Sequence, residues 1–373
     1  MPNRAFSAPA PAAAVLALTG RRARGLRAIG LLVATGWLAA APLGAQGRGS
    51  AEAQDGAQGR VAAGSPAARW TVAAPDAALA WYAVLADHAL PGDGAFAFTA
   101  RAPGGPAVPE ARRRALAAMR GRDVLHFAPL YHPSGDRAAL AAAVRAAARD
   151  AGPEAAHAPR AALLVGALRR SIPAADRARE LGPLADALVQ RRVAPVDAAR
   201  LAALQRALDS LWLPALAPWL ALERLDAGRL IVAPAVGPEG RLFSGTADRA
   251  DNLVAVGAFA EDPDPEAPLH AFAREACFPP ISRVTTADRG FRVGDAAATR
   301  RASLAAVRCG AGLLDARLPA RAAAFRAFWL RRAGTAAPGD EVALRAAFDR
   351  AFPTDPALDP AIRRALLRLQ EVR

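Results

Sequence analysis

The sequence predicts a predominantly helical α+β protein with a small antiparallel β element in its middle. Three observations support this fold class. Amphipathic helical segments fill most of residues 74–227, β-branched runs are concentrated at 228–259, and four further helical segments follow residue 296. A doubly wound parallel sheet would require strands that alternate with helices, whereas the strand-like runs here are grouped.

The first half of the chain contains a series of helical segments. Residues 74–90 begin with Pro75 and Asp76, which suit a first helical turn, and their apolar residues recur at helical spacing. The short apolar run DVLHFAPLY at 123–131 instead predicts a strand. Further helices are predicted at 108–121, 135–152, 158–173, 174–194 and 196–213.

The second half begins with strands and ends with helices. Strands are predicted within 228–237 and 251–259, with a hairpin at 237–245 between them. The segment LHAFAREACFPP at 269–280 predicts a short helix that ends at Pro279 and Pro280, followed by a loop at 281–295. The last four helices are predicted at 296–318, 319–334, 340–352 and 359–372.

The amino terminus has the features of a secretory signal peptide. Four arginines at 21–27 precede the apolar run AIGLLVATGWLAAA and the small residues PLGA, which predict cleavage after Ala45 and a periplasmic or secreted protein. An uncleaved anchor is the alternative, although the apolar run is shorter than the roughly 20 residues of a comfortable span. Residues 46–68 are poor in large apolar groups and predict a disordered tether. The remaining chain divides into a helical N-terminal lobe at 69–227 and a C-terminal lobe at 228–373.

The net charge of +14 does not indicate nucleic-acid binding. Cleavage after Ala45 leaves 43 arginines against 34 acids, a net charge of +9, and all the basic residues are arginine. These arginines are interleaved with acids along helices, as on solvated faces, and form no basic stripe with aromatic residues. The composition therefore favours an unknown protein or envelope partner, without nucleic acid and without a membrane span after cleavage.

The strand, hairpin, strand and helix order of residues 228–332 resembles the layout of zincin-like metallopeptidases. In that family an edge strand precedes a helix with the motif H-E-x-x-H, and a later helix supplies a third ligand. The resemblance implies that Glu275 stands at the position of the general base. Arg274 and Phe278 then stand where the two histidines belong, so the motif reads REACF.

A degenerate motif of this kind predicts no zinc site. Arginine offers no lone pair to a metal, and phenylalanine has no ligand atom. His270 lies five residues before Glu275, about 140° away around a helix. Hence no catalytic residue, metal ligand or cofactor is assigned, and Glu275, Arg274 and His270 are vestigial candidates only.

Two interpretations of Arg274 and Glu275 remain open. They are either charges on a partly exposed helix, or Arg274 occupies the former metal position and pairs with a carboxylate. The candidates for that carboxylate are Asp315, Asp251 and Glu275.

The two cysteines, Cys277 and Cys309, predict one disulfide in an oxidising compartment. The functional hypothesis is an exported, non-catalytic binding or structural protein on a degenerate zincin-like scaffold. The alternative is an active secreted metal-dependent hydrolase whose ligands come from His126, His132, His270 and distant acids.

Overall fold

The computed structural model describes residues 68–88, 107–132, 135–149, 159–237, 240–244, 252–287 and 295–371. The predicted signal peptide and tether lie outside these residues, apart from residue 68. The predominantly helical α+β fold class is confirmed: long helical stretches surround one small sheet in the described part of the chain. No helix among the described residues is both long and apolar enough to cross a membrane.

The N-terminal part begins with a strand and continues through helices. Strand β1 (Arg69–Ala73) precedes α1 (Asp76–Asp87). The following helices are α2 (Glu110–Ala118), α3 (Ala128–Tyr131), α4 (Arg137–Ala148), α5 (Pro159–Ser171), α6 (Ala174–Gln190), α7 (Ala198–Ala207) and α8 (Leu213–Leu222). A 3-10 helix at Arg122–Phe127 leads into α3, and a π-helical turn at Leu208–Trp212 joins α7 to α8.

The C-terminal part contains the other strands and the remaining helices. The strands are β2 (Ala227–Val232), β3 (Arg241–Ser244) and β4 (Asn252–Val256). The helices are α9 (Ala267–Glu275), α10 (Phe278–Ala287), α11 (Ala296–Arg317), α12 (Pro319–Arg332), α13 (Glu341–Ala351) and α14 (Asp359–Glu371).

The sheet is mixed, which corrects the expectation of an antiparallel element. Its strand order is β1-β2-β4-β3. β1 and β4 both pair with β2 in parallel, and only the β3–β4 pair at one edge is antiparallel. The sequence prediction missed β1, because this strand has only five residues and lies between the predicted tether and the first helix.

The sheet separates two hydrophobic clusters, because successive side chains of a strand point to opposite faces. Leu230 and Val232 of β2 face a cluster built largely from α7 to α14, whereas Ile231 faces the cluster built from α1 to α6. Val254 and Leu253 of β4 divide between the two clusters in the same way. Helices therefore cover both faces, and α9 lies in the cluster of the C-terminal helices.

Two local predictions were wrong. The predicted strand at 123–131 is a 3-10 helix followed by α3, since a short buried apolar run does not by itself distinguish strand from helix. The first part of the predicted loop at 281–295, residues 281–287, belongs to α10, which begins at Phe278, and residues 288–294 lie outside the described part of the chain. Pro279 and Pro280 lie in the first turn of this helix, where the missing backbone N–H groups cost little. They therefore begin a second helix, and α9 ends before them at Glu275.

Candidate functional site

Helix α9, which follows β4 after an acidic loop, is buried along its whole length. Its polar side chains are buried as well: Arg274 and His270 are 0% exposed and Glu275 is 1% exposed. The interpretation that Arg274 and Glu275 lie on a partly exposed helix was therefore wrong. Strand β4 and helices α11 and α12 pack against α9, and every residue of this helix is buried.

The Arg274 guanidinium contacts three elements besides its own helix. Nη1 donates to Oε1 of Glu275, and Nη2 donates to Oγ of Ser303 on α11 at 2.7 Å. The guanidinium carbon also lies 4.9 Å from the ring centre of Phe278 and 5.4 Å from that of Trp329 on α12. Such cation–π contacts strengthen when the cation is desolvated, as it is here.

The carboxylate that Arg274 reaches is Glu275, one of its three predicted partners. A second candidate, Asp315, pairs with Arg326 on α12. The third, Asp251, lies outside the described residues. Asp315 is one-third exposed and already paired with Arg326, whereas Glu275 is as deeply buried as Arg274.

Glu275 uses its second oxygen to hold the edge strand. Its Oε2 accepts a hydrogen bond of 2.6 Å from the backbone N–H of Leu242 in β3. Gly240 approaches the same carboxylate side chain closely, since a Cβ atom built on it would lie 3.6 Å from the Cγ atom of Glu275 and 2.9 Å from the Ala255 carbonyl oxygen. Both oxygens of Glu275 are thus engaged within the protein.

A disulfide adds a covalent link beside this ion pair. Cys277 follows α9 and Cys309 lies on α11, with Cα atoms 5.9 Å apart and both side chains fully buried. This separation lies within the range that a disulfide requires, so the predicted pairing is confirmed.

His270 does not join Glu275 but binds the loop before α9. Its Nε2 lies 2.7 Å from Oδ2 of Asp264, and its ring packs edge-on against Trp212 and Phe325. The hydrogen bond to His270 is the main cause that lowers the pKa of the Asp264 carboxyl. Nδ1 of His270 is buried and has no hydrogen-bond partner among the described residues.

The same loop is held by arginines of α12. Asp262 pairs with Arg331 at 2.7 Å, and Glu266 accepts two hydrogen bonds from Arg321 at 2.8 and 2.9 Å. Glu266 also accepts from Nε1 of Trp212 at 2.9 Å. His270 is therefore one of several contacts that fix the acidic loop on the helical layer.

The histidines proposed for an alternative metal site do not share a strand. His126 is buried in the 3-10 helix, and its carbonyl oxygen lies 3.4 Å from the Tyr82 hydroxyl. His132 follows α3 and places Nε2 3.2 Å from the Asp136 carbonyl oxygen. Within the described ranges, no group of three or more His, Cys, Asp or Glu residues is arranged to hold a metal ion.

Several contacts of the site could not be read from the sequence. Ser303 and Trp329 reach Arg274 from helices that lie 29 and 55 positions further along the chain. The donor at Leu242 is a backbone N–H, which every residue type except proline has, so the sequence gives no sign of this contact. Asp264 is the one partner with a signal, because it belongs to the unusually acidic stretch EDPDPE directly before α9.

Comparisons with known proteins identify no relative of this chain. No family model matches the chain, and no curated protein or solved structure shows significant similarity to it.

Proposed function

We propose that this protein is an exported, non-catalytic binding or structural protein whose C-terminal part is a degenerate zincin-like scaffold. The observation that carries the proposal is the buried pair of Arg274 and Glu275 on α9. The order of elements supports it: antiparallel edge strand β3 precedes β4, and α9 follows β4. In the metallopeptidases that this layout resembles, the corresponding glutamate activates a metal-bound water.

The chemistry of the pair argues against that reaction. A general base needs a carboxylate oxygen within reach of a water or substrate proton. Glu275 gives one oxygen to Arg274 and the other to the Leu242 N–H, and the side chain is 1% exposed. A metal ligand at position 274 would need a lone pair, which a guanidinium lacks. We therefore infer a structural role for α9, in which the arginine charge stands where the family has a metal.

Export is the second part of the proposal. It rests on the basic and apolar amino-terminal pattern and on the buried disulfide, since disulfides persist in oxidising compartments. When the full chain is expressed in a bacterium with a periplasm, we expect the protein in the periplasm or medium, beginning at Gln46. Intact mass spectrometry measures this. Recovery of the protein with residues 1–45 still attached would refute cleavage.

The proposed absence of catalysis is tested with the exported protein and two variants. We expect no stoichiometric zinc by elemental analysis and no hydrolysis of a general peptide library. Replacing Arg274 and Phe278 by histidine restores the H-E-x-x-H residues. We expect this double variant to remain inactive, because residues 291–334 contain no histidine or glutamate that could act as the third ligand, and Asp315 in that segment is paired with Arg326. Stoichiometric zinc in the native protein that is lost in Glu275→Gln would overturn the proposal, and so would peptidase activity in the double variant.

A further inference from the structure

A surface groove lies between α10 and α14, which contact each other directly. Its volume is about 830 Å³. The residues that define its two walls are Pro280, Arg283 and Val284 of α10, and Arg364, Leu367 and Arg368 of α14. In each helix these three positions lie within about 100° of one another around the helix axis. Each helix therefore contributes one continuous face to the groove.

The groove exposes apolar surface that the fold does not use for its own packing. Helix α14 is attached to the core by a different face, whose buried residues are Ile362, Ala365 and Leu369. Leu367 lies about 140–160° around the helix from these residues and is 57% exposed. It is not an isolated apolar side chain, because Pro280 and the half-buried Val284 line the same groove from α10. Apolar surface that continues from one helix to the next in a concave site is typical of an interaction surface.

Two arginines of α14 flank this apolar surface, and neither pairs with a carboxylate among the described residues. Arg364 and Arg368 are exposed and lie one helical turn apart, a spacing at which like charges repel each other. The third arginine of the groove, Arg283, is already paired, because it donates to both carboxylate oxygens of Glu223 at 2.8 and 3.0 Å.

The groove also contains one acidic side chain, that of Glu371. Counted against Arg364 and Arg368, this carboxylate leaves a net charge of +1 on the α14 wall. The neighbouring Arg363 does not line the groove, and it pairs with Asp359 on its own helix at 3.5 Å. The positive charge that lacks a counter-charge is therefore located beside Leu367.

We propose that this groove docks an acidic amphipathic helix of a partner protein. The apolar side chains of such a helix cover Leu367, Val284 and Pro280, and its carboxylates pair with Arg364 and Arg368, whose planar forks match a carboxylate. A β-strand does not fit as well, since the backbones of α10 and α14 are hydrogen-bonded within their helices and offer no free edge. A concave groove also favours a helix over a flat membrane surface.

The proposal goes beyond the role of α9, because no lining residue belongs to that helix. It would hold equally if α9 were part of an active hydrolase. Failure of the docking experiment and failure of the zinc and peptidase experiments are therefore distinguishable.

The experiment measures fluorescence anisotropy of a labelled helical peptide of about 18 residues, titrated with the exported protein. The peptide carries leucines at i, i+3, i+4 and i+7, with glutamates beside that stripe. We expect saturable binding with a dissociation constant of the order of 100 μM or lower, since small interfaces bind weakly. The same peptide with glutamine in place of glutamate should bind at least about fivefold more weakly, and only the glutamate peptide should lose affinity as salt is added.

Hydrogen exchange locates the bound peptide without any substitution. We expect slower exchange in α10 and α14 when the glutamate peptide is present, and unchanged exchange in α2 and α4. Absence of saturable binding would overturn the proposal, as would equal affinity for the two peptides. Binding of phosphatidylglycerol vesicles without binding of the glutamate peptide would replace the proposed partner by a membrane surface.

Variants with matched controls separate the apolar and the charged contributions. We expect Leu367→Ser to weaken binding of the glutamate peptide about tenfold, because a leucine side chain is no longer covered. Replacing Arg364 and Arg368 together by glutamine should weaken it about fivefold to tenfold, as expected for two exposed ion pairs, and should leave the affinity for the glutamine peptide unchanged. The controls are Val342→Ser and Arg350→Gln on α13, since both residues are exposed and neither lines the groove. Affinities equal to those of the controls in both groove variants would refute the assignment.

Discussion

Replacing Arg274 by methionine removes a guanidinium that lies wholly inside the protein and leaves the Glu275 carboxylate buried without its cation. Glu275 keeps the hydrogen bond from the Leu242 N–H, and Ser303 loses its donor. Removing one partner of a buried ion pair costs about 3–5 kcal/mol, because the remaining charge stays desolvated. We expect the free energy of unfolding to fall by that amount at pH 7.

Removing the other charge of the pair with Glu275→Gln should be comparably destabilising, since it leaves the Arg274 charge without its carboxylate. The double variant with methionine and glutamine removes both charges and leaves the amide oxygen to accept from Leu242. We expect it to lose only about 1–2 kcal/mol, less than either single variant, because neither buried charge remains. The coupling energy of this double-mutant cycle is the quantity that tests whether the two charges depend on each other.

Urea unfolding with linear extrapolation measures these free energies, with the disulfide left intact in every variant. Arg113→Gln provides the control, because Arg113 pairs with Glu110 on α2 where both side chains are about half exposed. An exposed pair of this kind contributes at most about 1 kcal/mol. If the double variant lost as much as the two single variants together, the charges would be independent and the inferred structural role of the pair would be wrong.

Three further predictions concern packing, pH and the disulfide. Gly310→Ala should lower the free energy of unfolding by about 1–3 kcal/mol, because the added Cβ would lie 2.6 Å from the buried Phe325 ring. Gly166→Ala in α5 meets only the movable end of an arginine and should raise the free energy of unfolding by about 0.5–1 kcal/mol. Thermal unfolding of both variants measures these changes. The hydrogen bond from His270 lowers the pKa of Asp264, so the ionised Asp264 carboxylate stabilises the fold above its unfolded pKa of about 4, and this stabilisation is lost as the pH falls further. The free energy of unfolding of Asp264→Asn should therefore decrease less between neutral and acidic pH than that of the unmodified protein. Replacing both disulfide cysteines by alanine should cost about 3–4 kcal/mol for a loop of 32 residues, and an unchanged urea midpoint would contradict this.

The sequence was sufficient for the fold class because hydrophobic periodicity is a local property. β2 and β4 are β-branched and buried, and they were predicted at 228–237 and 251–259. The segment 123–131 was predicted wrongly because a short apolar stretch takes the conformation that its neighbours in space impose. Strand β1 was missed because only five residues form it, between the predicted tether and the first helix. The parallel pairing of β1 with β2 joins residues more than 150 positions apart, which no local pattern encodes.

The site was only partly predictable, because its chemistry depends on burial. Residue types alone showed that Arg274 and Phe278 cannot bind a metal, and they placed Glu275 among the possible partners of the arginine. They did not show that α9 is enclosed, since that follows from the packing of α11 and α12 against it. Arg274 and Glu275 are adjacent and lie about 100° apart around the helix, so a broad face of α9 must be covered to bury both.

A guanidinium and a metal ion place a positive charge in a protein interior in different ways. A catalytic metal needs ligands around one point and keeps a position open for water or substrate. Arg274 instead extends its charge along a long side chain, donates to Glu275 and Ser303, and packs against Phe278 and Trp329. No coordination position is left open in this arrangement, while α9, α10, α11 and α12 are all linked through one side chain. Under the proposed function, the charge of the lost cation is thus retained for stability, and the chemistry that required an open site is not.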